Sequence, residues 1–513
     1  MKRVKAIAAV ARRALVLLGM AAMVWGGVCG CSTGHEIEDE VVPEDELKKI
    51  GSTVKYLFGA SHIVEKEDET TIVVEAANDY DDAAGYGFEF TSANGGTVNA
   101  SNISSDASFQ FKVKVDNGNY VVTVVTSTTE VLSEKLPDSF DYRIDKSGNT
   151  ESIALDLTRT PTGITKKVTA NKESTFDVAV VDGVLNLKFL LNTASTVSVS
   201  SVAYTPFSYE KREKPYLFAI GDSTTALDNY EKTNNHLSKN KWYFSWGPAI
   251  EHGEFILPSE LGGFVNCGCS GADTVTAYND GYLEKALLNV HPGDYVTVNM
   301  GINQGKDFTL DGITVPKAVS GNMAGDDSRR LGQPMLSRYY VEGIIQRGGI
   351  PVIATITAEG PWHNTEAYNS SASTNNGFYY DVATKVVSVT TAGGKRYNSG
   401  EIIPANTWNN SRMSNAYNKV LLTIAENYDL DIIALGCYVE EKLSSLTNDD
   451  VKTFNTDYGT NYKTVFEMVQ QAYYNDQHHY YKPVALLHAQ YVTDCIVKIM
   501  NDNYTYAYSE YIY

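Results

Sequence analysis

Cysteine and positive charge are both scarce in this 513-residue chain. It has six cysteines, and its 42 lysines and arginines are outnumbered by 62 aspartates and glutamates, which gives a formal net charge of −20. This balance argues against a nucleic-acid partner, because binding nucleic acid depends on basic surfaces. The sequence contains no C-x-x-C or H-E-x-x-H spacing. It therefore gives no indication of a metal centre, and no cofactor is expected.

Long hydrophobic runs are missing as well, since the apolar stretch from Ala14 to Val28 is too short for a confident membrane span. It follows a basic head and ends in Val28-Cys29-Gly30-Cys31, which is typical of an export signal. The ending resembles the bacterial lipoprotein cleavage box, which implies that Cys31 is lipidated. We therefore expect residues 1–31 to be a lipoprotein signal peptide. The mature protein would be attached to a bacterial cell envelope by lipid only, in the periplasm or at the cell surface.

Four cysteines remain after such a signal: Cys267, Cys269, Cys437 and Cys495. Outside the cytoplasm an even number of cysteines permits disulfides. Cys267 and Cys269 lie on one strand-like run, and neither of the other two is an obvious partner. Disulfides and buried free thiols both stay open.

The length exceeds what one hydrophobic core usually supports, so two folded domains are expected. Residues 32–52 are polar and acidic and read as a solvated tether. Residues 53–210 contain short alternating strands, the clearest at 109–115 and 120–125, and the Asp-Asn-Gly-Asn turn between them predicts a hairpin. An all-β sandwich of jelly-roll type is expected here.

Beyond a charged linker at 207–215 the periodicity changes, and residues 211–513 form the second predicted domain. Helical stretches, the clearest from Met413 to Tyr428, alternate with strand-like runs. This alternation predicts a three-layer α/β/α domain with a parallel sheet covered on both faces. Residues 364–406 interrupt it with an expected hairpin around 386–391. The strand-like runs are 216–220, 263–267, 294–300, 350–357 and 431–437.

Tyr216 to Ile220 is an apolar strand that Gly221-Asp222-Ser223-Thr224 breaks to open a helix. In open α/β sheets active sites lie at such carboxyl strand ends. Gly221 would allow the sharp turn, and the helix amides beside Ser223 could bind developing negative charge. The pattern favours Ser223 as a nucleophile, although Gly-Asp-Ser is also ordinary turn chemistry.

A serine nucleophile needs a base and a carboxylate that orients the base. Asp476 and His479 lie just before the predicted last helix, Lys482 to Met500. Their spacing lets both occupy one turn, with the carboxylate on the far imidazole nitrogen and the near nitrogen facing Ser223. The neighbouring His478 is the alternative base.

Gly-Asp-Ser-Thr early and Asp-x-x-His late in one α/β domain resemble the SGNH (GDSL-type) hydrolases, and within them the rhamnogalacturonan acetylesterases. The resemblance implies a flavodoxin-like parallel sheet, Ser223 as nucleophile, and an oxyanion hole made by the Ser223 amide, the Gly271 amide and the Asn303 side chain. Gly271 comes from Val265-Asn266-Cys267-Gly268-Cys269-Ser270-Gly271, and Asn303 from Asn299-Met300-Gly301-Ile302-Asn303-Gln304. Gln304 stands where the family usually has aspartate. Trp246-Gly247 matches a further pair of this group, although a tryptophan there is more often core.

The strand-rich region resembles the galactose-binding-type sandwich that precedes such catalytic domains. The resemblance rests on Tyr56-Leu57-Phe58-Gly59, Gly85-Tyr86-Gly87-Phe88, Val115-Asp116-Asn117-Gly118-Asn119-Tyr120 and Asp182-Gly183-Val184-Leu185. Tyr86 and Phe88 could contact sugar, but packing is the favoured role of both.

Taken together, these features imply a lipid-anchored serine esterase that removes O-acetyl groups from an acetylated polysaccharide or oligosaccharide, above all pectic rhamnogalacturonan. One alternative is a deacetylase of another glycan such as xylan, or a general esterase. Another is an inactive surface glycan-binding protein, which the substitution at Gln304 motivates.

Overall fold

The computed structural model describes the chain between Leu47 and Thr505, with gaps. The predicted signal peptide with Cys31, and most of the predicted tether, lie outside the described residues. The described residues are 47–59, 68–91, 94–127, 130–133, 139–144, 150–156, 164–166, 168–191, 195–226, 245–301, 308–310, 313–315, 336–357, 378–381, 386–390, 396–398, 416–474 and 479–505.

The first region consists of strands in two large sheets and one separate pair. Strands β1 to β15 are, in order, Leu47–Lys49, Thr53–Phe58, Glu69–Val74, Tyr86–Phe90, Gly96–Val98, Ile103–Ser105, Phe109–Lys114, Gly118–Thr126, Glu130–Ser133, Ser139–Ile144, Thr150–Asp156, Ile164–Lys166, Glu173–Val180, Val184–Leu190 and Val197–Tyr209. Strands β13-β8-β15-β2-β3 form one large sheet in that order, with β1 and β6 also on β15 and β5 on β6. Strands β12-β9-β14-β7-β4 form the other, and β10 pairs with β11 alone. All pairs are antiparallel except β2 with β3.

One apolar core joins the two sheets, because alternate side chains of each point towards the other. Phe58 of one sheet meets Phe88 and Phe111 of the other, with ring centroids 5.6 and 5.1 Å apart. Phe88 is buried and Tyr86 packs against the same core, which agrees with a packing role. The jelly-roll type and the galactose-binding resemblance stay predictions.

The hairpin expected between β7 and β8 is wrong, although both strands exist. β7 pairs with β4 and β14, whereas β8 pairs with β13 and β15 in the other sheet. The chain crosses between the sheets here, and the crossing is bonded to a second one, since the Gly183 amide donates to Asn117 Oδ1 at 2.7 Å. Alternation reports which face of a strand is buried, but not whether its neighbour lies beside it or across the core.

The second region confirms the predicted parallel sheet. Strands β16 to β25 are Tyr216–Gly221, Gly263–Asn266, Tyr295–Asn299, Phe308–Leu310, Ile313–Val315, Ile350–Ala354, Phe378–Asp381, Val386–Thr390, Arg396–Asn398 and Ile432–Ile433. Five of them form the parallel sheet in the order β17-β16-β18-β21-β25, so the chain order is 2-1-3-4-5. The others form two small antiparallel sheets, β19-β20 and β22-β23-β24. The order of the parallel sheet is flavodoxin-like, and the direction of winding reverses next to its first strand.

Helices cover both faces of this sheet. The helices α1 to α10 are Ser223–Ala226, Trp246–Glu251, Thr274–Asn279, Tyr282–Asn289, Glu342–Gln346, Ala416–Tyr428, Leu435–Ser444, Asn448–Tyr458, Val465–Met468 and Lys482–Met500, with π-helical turns at Leu336–Val341 and Val469–Tyr473. Phe218 and Ile220 of β16 join one apolar cluster with α4, α5 and α6. Leu217 and Ala219 of the same strand join another cluster with α2 and α10. Among the described helices, none combines the length and apolarity needed to cross a membrane.

Three predicted boundaries need correction. The strand expected over 431–437 is only Ile432–Ile433, because helix α7 begins at Leu435. The expected linker begins after Tyr209, since β15 continues to that residue. The end of the expected tether is strand β1, which pairs with β15. In the interruption at 364–406, the expected hairpin strand is β23, which pairs antiparallel with β24 after it and with β22 before it.

Polar contacts connect the α/β region to strands β8 and β13 of the first sheet. The guanidinium of Arg347 donates to Asn119 Oδ1 at 2.7 Å and to the carbonyls of Gly118 and Val180 at 2.9 and 3.2 Å. Desolvation lowers the pKa of Arg347 to about 10, although Glu284 nearby favours its charged form. The amide of Ala179 donates to Glu284 Oε1 at 3.1 Å. A half-buried, hydrogen-bonded guanidinium thus connects the two regions.

Candidate active site

Ser223 lies at the carboxyl end of β16, where it begins α1. This is the point at which the strand order reverses, and ligands of open α/β sheets bind in the crevice there. Asp222 stabilises the turn by accepting hydrogen bonds from the amide and the hydroxyl of Thr224, at 3.0 and 2.9 Å. The predicted strand-to-helix turn is therefore present, with Ser223 only 3% exposed.

Gly221 is required for space, and not for the sharp turn that the sequence suggests. Its φ is outside the left-handed region. A Cβ at this position would lie 2.1 Å from Thr225 Oγ1 and 2.9 Å from the Asn299 carbonyl oxygen. Any side chain here would push α1 away from β18, so the glycine lets the turn that carries Ser223 approach the sheet closely.

His479 lies beside Ser223 although 256 residues separate them in sequence. Its Nε2 is 2.9 Å from Ser223 Oγ. In the tautomer with the proton on Nδ1, Nε2 accepts the hydrogen of the serine hydroxyl. The backbone that follows His479 is held by an antiparallel bridge between Tyr474 and Tyr480, and the Tyr481 amide donates to the Tyr473 carbonyl at 2.8 Å. The fold thus holds an imidazole ready to take a proton from Ser223.

Asp476 and His478 lie outside the described residues, and so do Asn303 and Gln304. The orienting role of Asp476, the alternative base His478 and the oxyanion role of Asn303 therefore stay predictions. No cluster of three or more His, Cys, Asp or Glu side chains that could hold a metal ion occurs within the described part of the chain.

The loop after β17, which contains Gly271, starts next to β16, the strand that leads to Ser223. The Cys269 amide donates to the Gly221 carbonyl at 2.9 Å, and the Gly268 amide donates to Asn266 Oδ1 at 3.0 Å. Gly271 is exposed, with a φ of 75° and open space where a Cβ would be. The loop therefore begins at the same edge of the sheet as Ser223, and the oxyanion role of the Gly271 amide stays a prediction.

None of the four described cysteines forms a disulfide. Burial raises the pKa of Cys267 and of Cys495 to about 11, so both are thiols near neutral pH.

Asn299 is a structural residue of the site that the motif analysis missed. Its Nδ2 donates to the carbonyls of Ala354 and Thr355 at 3.2 and 2.7 Å, and its Oδ1 accepts from Thr225 Oγ1 at 3.1 Å. It therefore connects the ends of β18 and β21 to α1. A buried polar residue at the end of an apolar strand was the signal that could have identified it.

Tyr480 and Ser245 were also missed. The Tyr480 hydroxyl donates to the Thr224 carbonyl, and the Ser245 hydroxyl donates to the Ser223 carbonyl. The only signal for Tyr480 is its position directly after His479. Nothing in the sequence singles out Ser245, apart from its place before Trp246. Trp246 is fully buried, as its expected core role requires.

A second histidine, His488 of α10, is fully buried behind Tyr480. Its Nε2 is 2.7 Å from Thr357 Oγ1, and its ring meets that of Tyr480 edge to face with centroids 4.6 Å apart. Burial lowers the pKa of His488 to about 3, so the imidazole is neutral near neutral pH. It packs behind the site, and His479 is the histidine that reaches Ser223.

Comparison with known proteins gives relatives of low similarity. No family model matches the chain. A Bacillus subtilis (strain 168) protein described as uncharacterized esterase YxiM is 28% identical over 245 residues, or 45% of this chain and 56% of the relative. The alignment thus spans little more than half of that relative's length.

Similarity to solved structures is also low. The X-ray structure of YxiM from Bacillus subtilis has a TM-score of 0.35 and 18% identity, over 88% of this chain and all of the other. Axe2, an acetylxylan esterase from Geobacillus stearothermophilus, has a TM-score of 0.29 and 13% identity, over 55% of this chain and 93% of the other. These values do not assign the chain to a family, so the chemistry of the site is argued from its own geometry.

Proposed function

We propose that this chain is a serine carboxylic-ester hydrolase that removes O-acetyl groups from a polysaccharide or oligosaccharide. The observation on which the proposal rests is the 2.9 Å distance between Ser223 Oγ and His479 Nε2, at the switch point of a parallel sheet. A buried hydroxyl next to an imidazole is the arrangement that acyl transfer requires. The description of the YxiM relative as an esterase is consistent with this chemistry.

In the proposed mechanism His479 Nε2 takes the proton of Ser223 as the oxygen attacks the acetyl carbonyl. The C–O bond to the sugar then breaks, and His479 returns the proton to the leaving sugar oxygen. Water then attacks the acetyl-serine while the same imidazole takes one of its protons, and the imidazole returns that proton to Ser223 Oγ as the acetyl group leaves as acetic acid, which ionises to acetate. In this proposal Asp476 would orient the imidazole by accepting a hydrogen bond from its Nδ1–H.

The negative charge of the tetrahedral intermediate needs hydrogen-bond donors. We assign this role to the amides of Ser223 and Gly271 and to the side chain of Asn303. The connection of the Gly271 loop to β16, through the Cys269 amide, supports the assignment of the glycine.

The proposed substrate is acetylated pectic rhamnogalacturonan, on the strength of the sequence resemblance, and the proposed location is the bacterial cell envelope, with lipid on Cys31. Acetylated xylan is the alternative substrate. Acetate release from both polymers under matched conditions separates them. Faster release from rhamnogalacturonan is expected, and faster release from xylan, or equal rates on all acetylated glycans, would contradict the pectic assignment.

Hydrolysis of 4-nitrophenyl acetate by the wild type and by Ser223→Ala tests the esterase itself. We expect the substitution to lower kcat by about four orders of magnitude or more, because nucleophile and base act as one unit. Ser259→Ala is the matched control, since that serine is exposed and lies on a loop before β17. It should keep wild-type activity.

Two results would contradict the esterase proposal. Equal activity of the wild type and Ser223→Ala would remove Ser223 as the nucleophile. An inert wild type, on aryl acetate and on acetylated glycans alike, would favour the alternative of a glycan-binding protein.

A further inference from the structure

The residues that directly follow the nucleophile and the base are bonded to each other. Tyr480 follows His479, Thr224 follows Ser223, and the Tyr480 hydroxyl donates a hydrogen bond to the Thr224 carbonyl. This bond spans the same 256-residue separation as the contact between Ser223 and His479. A change in the position of Tyr480 would therefore change the position of the Ser223 turn relative to His479.

A second bond holds the adjacent peptide group. The Ser245 hydroxyl donates to the Ser223 carbonyl, and Ser245 directly precedes α2. Two consecutive carbonyls of the Ser223 turn, those of Ser223 and Thr224, thus each accept a hydrogen bond from a side chain outside the turn.

The Tyr480 ring has little freedom to move. It is 1% exposed and meets the rings of Tyr474 and His488 edge to face, with centroids 6.4 and 4.6 Å away. Tyr480 is also paired with Tyr474 by an antiparallel bridge. An aromatic side chain packed in this way holds the backbone next to His479 and the carbonyl of Thr224 in a fixed relation.

We propose that Tyr480 and Ser245 are positioning residues that set the distance and direction between Ser223 Oγ and His479 Nε2. Neither touches the reacting atoms in this arrangement, so each acts through the backbone of the nucleophile's turn. The inference rests on the proposed function, since it assigns roles within that site. Proton transfer and attack are sensitive to such geometry, and a misplacement of about 1 Å can cost about 100-fold in rate.

Tyr480→Phe tests this inference, with Tyr120→Phe as the matched control. Tyr120 is also buried, and its hydroxyl donates to a backbone carbonyl, that of Asp116, at 2.6 Å in the β-sheet region. Both substitutions remove one phenolic oxygen from a buried bond. We expect Tyr480→Phe to lower kcat by about 10- to 100-fold with KM within about twofold of wild type. Tyr120→Phe should leave both constants unchanged, and the two variants should unfold at similar urea concentrations.

Ser245→Ala is the second variant, and it decides the matter if Tyr480→Phe fails to fold. It should also lower kcat, while KM stays within about twofold of wild type. The double variant should lose less activity than the product of the two single losses, because both residues hold the same turn. Unchanged kcat in both single variants, or a rise in KM alone, would overturn the inference.

A fluorophosphonate probe separates this inference from the proposed substrate. Its rate of attachment to Ser223, measured by mass spectrometry, depends on the nucleophile and base but not on an acetyl glycan. If the wild type is labelled without hydrolysing acetyl esters, the proposed function fails and the labelling rates still decide the role of Tyr480. Slower labelling of Tyr480→Phe than of Tyr120→Phe supports the inference. Equal rates, or a wild type that is not labelled at Ser223, overturn it.

Discussion

The buried imidazole of His488 predicts a loss of stability in acid. Burial lowers the pKa of His488 to about 3 in the folded chain, whereas an imidazole in the unfolded chain titrates near its ordinary value of about 6.5. Below that value the unfolded chain binds a proton that the folded chain does not bind. The contribution of the neutral His488 to the free energy of unfolding is therefore fully present above pH 6.5 and is lost progressively as the pH falls towards 3.

The magnitude follows from the two pKa values. Each pH unit between them is worth about 1.4 kcal/mol, so lowering the pH from 7 to 5 should remove about 2 kcal/mol of stability through His488 alone. The side chain is fully buried, and the partner of its Nε2 is the hydroxyl of Thr357, which carries no charge. That contact therefore does not stabilise the charged imidazolium as a carboxylate would.

Urea unfolding of the wild type and of His488→Gln at pH 7 and pH 5 measures this effect. The glutamine amide can still pair with Thr357 but does not titrate, so the variant should lose about 2 kcal/mol less than the wild type between the two pH values. His252→Gln, the same substitution at an exposed position, is the control. If His488→Gln and His252→Gln show the same dependence on pH as the wild type, the reasoning is refuted.

Two further substitutions have defined outcomes. Arg347→Met removes the three hydrogen bonds that cross to the β-sheet region, so it should lower the free energy of unfolding, measured in urea, by about 3–5 kcal/mol. Arg338→Met, at an exposed arginine, is the control and should lower it by less than about 1 kcal/mol. Equal losses in the two variants would contradict the structural role of Arg347. Gly221→Ala would bring a Cβ to 2.9 Å from the Asn299 carbonyl oxygen, so it should slow fluorophosphonate labelling of Ser223 by at least about 100-fold, and labelling at the wild-type rate would contradict the steric argument.

The success and failure of the sequence analysis have one physical cause. Apolar periodicity is a local property, so the strand at Tyr216–Gly221 and the helix at Lys482–Met500 could be predicted within a residue. The hairpin after β7 could not, because alternation is the same for strands that pair and for strands that face each other across a core. The overlong strand at 431–437 shows the same limit, since a short apolar run fits either a strand or the buried start of a helix.

The candidate site divides in the same way. The residue types and their motifs sufficed to propose Ser223 and His479, because a nucleophile and a base must have suitable side chains wherever they lie, and the structure places these two side chains next to each other. The bonds of Tyr480 and Ser245 to the nucleophile's turn follow no motif, since a tyrosine or serine donating to a backbone carbonyl is common in any fold.

By itself the sequence determined the chemistry available to this protein: a negative chain poor in cysteine, an alternation of strands and helices, and a serine and a histidine in order. The tertiary structure alone decided which strands are neighbours and that the hydroxyl of Ser223 lies 2.9 Å from the imidazole of His479. Contacts across 256 residues depend on how separate elements pack around a shared core, and no local pattern of side chains specifies that packing.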